Sequence, residues 1–385
     1  MKVIEYLKDK VLSGLSADQA FENLTEDFAI KVKLYDEGLA VLNYNQIESP
    51  KTNPIVMECR GLILDRNSFE VVSRSFDRFF NLGEAPDTYQ GFDITRATVF
   101  EKADGSLIKM YYWNGRWHLS TRGTAFAETE NYTGKLFRDL VCDAFKIDSQ
   151  DHLQELMGDT VKEVNKCTFI FELTSPENRI VTRYEKPEMV LIGIKINTQS
   201  TEELILLDHW SKWLASKGLK NRPAKTYNFS SEESIKEAVK NLPNLEEGYV
   251  CYDPLSSKRV KIKSPAYLAV HKLRGDSIPT PKRIMALVLT REEEEYLAYF
   301  PEERQRFQPY IDSLNNLEND IKQVWEDNKE VKNQKEFALE IKHLPYASSL
   351  FQARSKQQDP VHCFFSGSES YQMKVLEKFM EGKDA

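Results

Sequence analysis

The sequence predicts an α+β protein in which a strand-rich body precedes an all-helical C-terminal region. Short β-rich runs separated by turn residues occupy most of residues 28–122. Two continuous apolar runs follow between residues 167 and 196, as is typical of buried strands. From residue 265 onward, apolar side chains recur at helical spacing. We therefore expect two domains, residues 1–275 and residues 276–385.

The chain is predicted to begin with an amphipathic helix. Residues 1–15 interrupt their apolar positions with charges such as Lys2, Glu5 and Lys8, which is unlike a signal peptide. Seven strand-like runs follow, and the last two flank Asn114-Gly115, the strongest short-range sign of a hairpin. Antiparallel pairing is therefore expected in this part of the body.

The remainder of the body alternates helix and strand. Residues 126–164 carry apolar side chains at intervals of three and four and predict helix. After the two buried strands we expect two helices, the second opened by a capping box at residues 230–233. A final strand pair, residues 246–252 and 259–263, completes the body.

Composition limits the class of partner. The chain has 385 residues and a formal net charge of −8, and residues 276–385 hold 15 basic and 20 acidic side chains. This balance argues against a protein that coats nucleic acid or membrane without specificity, and no membrane partner is expected. The five cysteines are scattered and never spaced C-x-x-C, so neither a disulfide framework nor a zinc site is indicated. We predict a monomer in a reducing cytoplasm.

One short motif suggests chemistry. Residues 101–106 (EKADGS) place Lys102 at the end of a strand-like run, before a turn that contains glycine. A K-x-D-G pattern occurs by chance in roughly one chain of this length in ten, and a solvated β-turn explains it equally well. The motif therefore needs support from other residues.

Further charged residues inside strand-like apolar runs give that support. They are Glu172, Glu247, Lys261 and Lys263. Any one of these residues, taken alone, can be explained as a surface charge on an edge strand. If such a charge is buried, however, it would be costly without a partner or ligand. If the set converges with Lys102, it would suit a polyphosphate and Mg²⁺, because lysines bind phosphates and carboxylates bind the metal. A lysine crowded by cations also loses proton affinity and becomes nucleophilic.

In order and spacing, these residues resemble the motifs of the covalent nucleotidyltransferases, which comprise DNA ligases, RNA ligases and capping enzymes. Motifs I, Ia, III, IV and V are similar to Lys102-Ala-Asp-Gly, Ser120-Thr-Arg-Gly, Phe171-Glu172-Leu, Glu247-Gly-Tyr-Val and Val260-Lys-Ile-Lys. The flanking Glu58-Cys59-Arg60-Gly61, Ser73-Arg74, Arg78 to Leu82 and Pro176 to Val181 resemble the phage-type tRNA-repair RNA ligases, RNA ligase family one. The likeness covers about residues 35–275.

The resemblance implies a nucleotidyltransferase domain of the ATP-grasp-like ligase type with antiparallel sheets, residues 1–275. It further implies a helical RNA-specificity domain, residues 276–385. The implied enzyme is an ATP-dependent RNA ligase that joins 5′-phosphate and 3′-hydroxyl ends, through lysyl-AMP and RNA-adenylate intermediates. Its implied partners are ATP, Mg²⁺ or alternatively Mn²⁺, and RNA, with nicked tRNA as the expected substrate. If the chain is phage-encoded, its cytoplasm is that of the host cell.

Residue roles also follow from the resemblance. Lys102 would accept AMP, Glu172 would contact the ribose, and Glu247 would hold the metal through water. Lys261 and Lys263 would grip the α-phosphate and the departing group. The remaining nucleotide-pocket positions of the family fall on Arg60, Arg78, Phe80, Gly105 and Arg122. The family prototype has lysine where Arg78 and Arg122 stand, so the pyrophosphate contact is expected to differ here. It has an acid where Ala103 stands, a change that is expected to be tolerated because this side chain need not face the nucleotide.

A cationic segment is the candidate RNA contact. Residues 258–274 hold six basic and no acidic side chains, and within them Lys272 and Arg274 are predicted to bind RNA. A solvated strand and helix edge is the alternative interpretation.

Three other functions remain open at this point. A capping guanylyltransferase would use GTP, and it or a DNA ligase would carry a β-barrel after motif V, where this chain predicts helices. A non-catalytic RNA-end-binding protein would retain the pocket without the reaction. Labelling with ATP or GTP separates these alternatives.

Overall fold

The computed structural model describes residues 1–131, 133–158, 164–198, 206–243, 245–274 and 279–382. The chain divides into two compact units, Met1–His271 and Lys272–Ala385. This division lies close to the boundary expected after residue 275, while the roles assigned to the two regions remain predictions.

The predicted α+β architecture is confirmed. The strands are β1 (Ile30–Leu34), β2 (Leu39–Tyr44), β3 (Arg60–Asp65), β4 (Val71–Ser73), β5 (Phe80–Asn81), β6 (Thr98–Glu101), β7 (Ser106–Trp113), β8 (Arg116–Thr121), β9 (Cys167–Thr174), β10 (Glu188–Ile196), β11 (Arg222–Pro223), β12 (Thr226–Tyr227), β13 (Gly248–Asp253) and β14 (Lys258–Lys263). The helices up to residue 274 are α1 (Lys2–Leu12), α2 (Ala17–Phe28), α3 (Pro54–Glu58), α4 (Phe137–Phe145), α5 (Gln150–Met157), α6 (Leu207–Ser216), α7 (Glu232–Lys240) and α8 (Pro265–Arg274).

Three sheets organise the described strands. Their orders are β1-β2-β3-β4, β11-β10-β9-β7-β8 and β12-β6-β13-β14-β5. Neighbouring strands pair mainly in the antiparallel sense, with parallel pairing of β10 to β11 and of β14 to β5. The predicted hairpin joins β7 to β8, and both Asn114 and Gly115 adopt positive φ, as a tight two-residue hairpin turn requires. The strands β11 and β12 have two residues each, which is too short to show an alternation of apolar and polar residues in the sequence.

The main core lies around the sheet that contains β9. Side chains of β7, β9 and β10 pack with the apolar faces of α4, α5 and α6, and Phe169 stacks on Trp213. A separate core forms where α1 and α2 cover the first sheet. Because β9 is central and nearly all buried, a charged residue in it must have a specific environment.

Two local predictions need correction. The helical stretch expected over residues 126–164 contains two helices, α4 and α5, because Lys146 ends α4 in the left-handed conformation; residues 159–163 lie outside the described part. The capping box of α7 uses Ser231 and Ser234 in place of the expected residues 230–233. Ser231 Oγ accepts from the Ser234 amide at 3.2 Å, and Ser234 Oγ accepts from the Ser231 amide at 3.1 Å.

The second unit is helical throughout its described residues, as predicted. Its helices are α9 (Pro281–Leu289), α10 (Glu293–Tyr299), α11 (Arg304–Asn328), α12 (Gln334–Ile341), α13 (Ala347–Lys356), α14 (Pro360–Phe365) and α15 (Glu369–Glu381). Among the helices described in either unit, none combines the length and apolar character needed to cross a bilayer.

Candidate active site

Strand pairing brings Lys102 and Glu247 together although 145 residues separate them. Lys102 directly follows β6, which pairs antiparallel with β13, and Glu247 directly precedes β13. The Lys102 amide donates to the Gly248 carbonyl at 2.9 Å, which fixes the end of β6 against the start of β13. The Lys102 Nζ then lies 2.7 Å from Glu247 Oε2. The predicted nucleophile and the predicted metal-binding carboxylate are therefore direct partners.

Lys263 completes this cluster from the next strand. β13 and β14 pair with Gly248 opposite Lys263, and the Lys263 Nζ lies 2.8 Å from Glu247 Oε1. The Ser264 amide donates to the Glu247 carbonyl at 2.8 Å. Glu247 is 4% exposed, so one buried carboxylate bridges two ammonium groups with its two oxygens.

Glu172 faces the same pocket from the middle of β9. Together with Lys102 and Arg60 it lines a cavity whose apolar walls include Phe79 and Val250. We call this cavity the Lys102 pocket. Burial raises the pKa of Glu172 to about 7; Lys102 opposes this rise, and Glu247 adds to it. Charged groups predicted from three separate motifs therefore converge in one cavity.

Electrostatics hold Lys102 in its charged form. Burial alone would lower the pKa of Lys102, but attraction to Glu247 and Glu172 outweighs burial and raises that pKa. Burial would raise the pKa of Glu247, yet Lys102 and Lys263 lower it. Without a ligand, the cluster is thus a buried ion-pair network. Attack by Lys102 on phosphorus requires the neutral amine, so its proton must first leave.

Lys261 is crowded by the other cations of the cluster. Burial, followed by repulsion from Lys102, Lys263 and Arg60, lowers its pKa to about 8. Burial is also the leading cause that lowers the pKa of Arg60. A phosphate bound here would relieve this repulsion, so the cluster favours an anionic ligand.

Asp104 is a positioning residue whose role the motif did not reveal. Its carboxylate is 2% exposed and accepts the amides of Val181 and Thr182, each at 2.8 Å, and the hydroxyl of Tyr267 at 2.8 Å. Asp104 therefore ties the Lys102 loop to the 181–182 segment and to α8. Sequence analysis identified only a turn there, because the partners of Asp104 are distant in the chain.

Gly105 is predicted to tolerate no side chain. A Cβ at this position would lie 2.2 Å from the Leu173 carbonyl oxygen and 3.3 Å from Glu172 Cγ. We expect Gly105→Ala to force β7 away from β9, to reduce protein adenylylation at least about tenfold, and to lower the melting temperature by several degrees. Gly123→Ala is the control, because a Cβ there has open space. Equal behaviour of the two variants would contradict the close approach.

A pH effect follows from Glu172. The pKa of Glu172 is about 7 in the folded protein, against a reference value of 4.5 for the unfolded chain. Between these two pH values, Glu172 is therefore protonated in the folded state and ionised in the unfolded state. The folded state then binds more protons, and its stability falls by up to about 3 kcal/mol across this interval. We expect Glu172→Gln to remove that decline in urea unfolding between pH 5 and pH 8. Glu22→Gln, at an exposed site, should retain it, and parallel curves for Glu172→Gln and wild type would refute the assignment.

Three residues assigned to the nucleotide pocket by resemblance are not among the described residues that line the Lys102 pocket, and their contact with a nucleotide remains a prediction. Phe80 is 3% exposed in β5, and Phe79 lines the Lys102 pocket in its place. Arg78 lies over Tyr44, 4.2 Å from its ring centre, and the exposed Arg122 is 5.7 Å from the same centre. Arg78 also lies 5.5 Å from the ring centre of Phe80. One-residue alternation along a strand decides which of two adjacent phenylalanines faces the cavity.

The predicted RNA contact of Arg274 is wrong for this structure. The Arg274 side chain is 2% exposed, and its Nη1 lies 3.1 Å from Glu303 Oε1. Its guanidinium also lies 4.2 Å from the ring centre of Phe300. Because that charge is buried and neutralised within the second unit, it does not face an RNA backbone. Lys272 is exposed, and its RNA contact remains a prediction.

A divalent metal fits this site only together with phosphates. Among the described residues, no group of three or more His, Cys, Asp or Glu side chains could hold a metal alone. Mg²⁺ commonly binds through one or two carboxylates, substrate phosphates and water. Both carboxylate oxygens of Glu247 already contact lysines, so Glu247 would hold the metal through a bridging water. The donor chemistry therefore suits a metal that arrives with a nucleotide.

The antiparallel-sheet body brings Lys102 together with Glu247 and Lys263, and Glu172 lines the same pocket as Lys102. In the motif order given above, this set resembles the nucleotidyltransferases. A family model described as RNA ligase matches residues 58–267, more than half of the chain. The chain belongs to the RNA ligase family.

Several curated proteins are similar to this chain. A putative bifunctional polynucleotide kinase/RNA ligase of Autographa californica nuclear polyhedrosis virus is 34% identical over 97% of this chain and 54% of that protein. An RNA ligase of Rhodothermus phage RM378 is 23% identical over 70% of this chain and 73% of that protein. The chain therefore spans about half the length of the viral relative.

Solved structures give looser similarities. An archaeal ATP-dependent RNA ligase covers 95% of this chain and 86% of its own, with a TM-score of 0.43 and 15% identity. A mutant of the Naegleria gruberi RNA ligase with ATP and Mn covers 52% of this chain and 58% of its own, with a TM-score of 0.40 and 15% identity.

Proposed function

We propose that this protein is an ATP-dependent RNA ligase that joins a 5′-phosphate end to a 3′-hydroxyl end through lysyl-AMP and RNA-adenylate intermediates. The observation that carries the proposal is the Lys102 cluster, in which Lys102 lies 2.7 Å from Glu247 within the region matched by the RNA ligase family. Membership of the RNA ligase family supports the class of reaction. The Lys102 cluster supports its chemistry, because it offers a candidate nucleophile surrounded by cations that can bind phosphate.

The cluster suits the first chemical step. Lys102 Nζ forms a bond to the α-phosphorus of ATP, and the bond from that phosphorus to the pyrophosphate oxygen breaks. Phosphoryl transfer depends mainly on positioning and on cations near the charged oxygens, which Lys261 and Lys263 provide. Glu247 accepts a hydrogen bond from the Lys102 ammonium at 2.7 Å, so this contact must weaken before Lys102 can attack as the neutral amine. A bound divalent metal would supply Lewis-acid stabilisation of the phosphate oxygens.

The second and third steps use the same cavity. AMP would pass from Lys102 to the 5′-phosphate of RNA, and a 3′-hydroxyl would displace it to form the phosphodiester. Nicked tRNA is the proposed substrate, on the resemblance of the flanking motifs to tRNA-repair ligases. We also propose that the protein works in a reducing cytoplasm, because its cysteines show no pairing pattern. Independently of this, we propose that it works as a monomer.

Labelling with α-³²P-ATP tests the proposal. We expect wild-type protein with Mg²⁺, or with Mn²⁺ in a parallel reaction, to acquire label that survives denaturation, and α-³²P-GTP to give none. Nicked tRNA should then be sealed faster than a linear single strand. Absence of ATP label would refute the ligase mechanism, and label from GTP would favour a capping guanylyltransferase. Preference for nicked DNA over nicked RNA would favour a DNA ligase.

A further inference from the structure

A fully buried lysine in β7 lies outside the cluster described above. Lys109 is 0% exposed and stands in the middle of this strand, where it pairs with Ser120 of β8 and with Ile170 of β9. Its Nζ donates to the carbonyl oxygen of Gly61 in β3. Sequence analysis did not select Lys109, because its partner belongs to a different sheet.

Gly61 is the extra residue of a β-bulge in β3. Leu42 of β2 pairs with Leu62, whereas the next residue, Asn43, pairs with Arg60, so β3 holds one residue more than its partner strand at this point. Gly61 adopts a positive φ of 69°, a conformation that favours glycine. The bulge is therefore specified by the residue that occupies it.

The bulge decides where the Arg60 side chain points. In a regular strand, Arg60 would share a face with Leu62 and Leu64, which pack in the core beneath α1 and α2. The extra residue shifts this alternation by one position, and Arg60 lines the Lys102 pocket instead. Its guanidinium lies 5.6 Å from the ring centre of Phe79, in the wall of that pocket.

Side chains from two other segments anchor the bulge. Lys109 donates to the carbonyl of Gly61, and Ser75 Oγ donates to the carbonyl of Arg60 at 2.6 Å. Ser75 is 3% exposed and lies between β4 and β5. Two consecutive carbonyl groups are thus anchored from different directions, which restricts the backbone that carries the Arg60 side chain.

The cost of burying Lys109 argues against a role in packing alone. Burial, followed by repulsion from Arg60, lowers the pKa of Lys109 to about 7. A methionine of similar length would avoid both penalties, so packing alone would favour the apolar side chain. Departures of this kind from the rules of core composition are expected near functional sites.

We propose that Lys109 and Ser75 are positioning residues that fix the bulge at Gly61 and thereby hold Arg60 in the wall of the Lys102 pocket for contact with the nucleotide. The inference rests on the proposed function, in which this pocket binds ATP. Neither residue needs to touch the nucleotide, since both act through the backbone of β3.

Nucleotide binding without reaction tests this proposal. The probe is an ATP analogue with a methylene group between the α- and β-phosphorus atoms, which Lys102 cannot cleave, and its affinity is measured by calorimetry with Mg²⁺. We expect Lys109→Met and Ser75→Ala each to weaken binding at least about threefold. In an Arg60→Gln background, Lys109→Met should have almost no further effect, because the side chain that it positions is already absent.

The control separates positioning from a general loss of packing. Tyr111→Phe also removes a buried donor to a backbone carbonyl, that of Ala125, two residues further along the same face of β7. It should leave the affinity for the analogue unchanged, and Lys109→Met should lower the melting temperature no more than Tyr111→Phe does. In protein adenylylation, Lys109→Met should raise the KM for ATP and keep the maximal rate within about twofold of wild type, as expected for loss of a binding contact.

Three results would overturn the proposal. They are unchanged affinity in folded Lys109→Met and Ser75→Ala, an equal loss of affinity in Tyr111→Phe, and fully additive losses for Lys109→Met and Arg60→Gln. If wild type takes no AMP label but the variants lose affinity for the analogue as expected, the ligase proposal falls and the positioning role stands.

Discussion

Lys102→Arg is expected to abolish transfer of AMP to the protein while it leaves the folded state close to wild type in stability. Arginine retains the positive charge that faces Glu247, so the buried ion pair is preserved. It cannot become a neutral nucleophile, because its guanidinium stays protonated at any working pH. We expect a loss of labelling of at least about ten-thousand-fold, comparable to removal of a nucleophile in other enzymes. The measurement is the radioactivity that the protein retains from α-³²P-ATP on a denaturing gel run without acid treatment.

The control for this prediction is Lys31→Arg, which makes the same chemical change at an exposed lysine in β1. It should label as wild type does. A thermal melt of Lys102→Arg shows whether the fold is retained. Label on Lys102→Arg at a rate near wild type would assign the nucleophile to another residue, and the neighbouring Lys261, with its lowered pKa, would be tested next.

Glu247→Gln is expected to produce the largest loss of stability in the site. The change leaves Lys102 and Lys263 as partly buried cations without their carboxylate, while the amide oxygen still accepts one hydrogen bond. Removing one partner from a buried ion pair costs about 3 to 5 kcal/mol, and we expect a loss in that range for the unit that contains the site. The pKa of Lys102 should also fall, since its largest favourable interaction is gone. Urea unfolding followed by tryptophan fluorescence measures the change.

Glu246→Gln is the matched control because it removes the same charge from the adjacent and more exposed residue. We expect it to alter stability by less than about 0.5 kcal/mol. Adding Lys102→Met to Glu247→Gln should recover part of the lost stability, since it removes one unpaired cation. Equal stability of Glu247→Gln and Glu246→Gln would show that the ion-pair network contributes nothing to the fold.

Local pattern determined much of this fold. The turn at Asn114-Gly115 specifies a hairpin by itself, because both residues accept the positive φ that the turn needs. Continuous apolar runs likewise indicated that β9 and β10 are buried. By contrast, the strands β11 and β12 arise from pairings of two residues, and no periodicity can reveal pairings that short.

The sequence also singled out the charged residues of the cluster, but it did not show which of them contact one another. A charged residue within an apolar strand, such as Glu172, is detectable because burial of charge demands a reason. The pairing of Glu247 with Lys102 depends on the pairing of β6 with β13, which joins residues far apart in the chain. The anchoring of Asp104 by Tyr267 is equally remote in sequence.

The sequence alone thus determined the α+β class and the helical C-terminal region, since these follow from local period and residue type. Only the tertiary structure decided which neighbouring side chain faces a cavity, as with Phe79 in place of Phe80. It also decided that Arg274 is buried against Glu303 while Arg78 lies over the ring of Tyr44. The physical reason is that solvent exposure and ion pairing are set by contacts between distant segments, which local sequence does not encode.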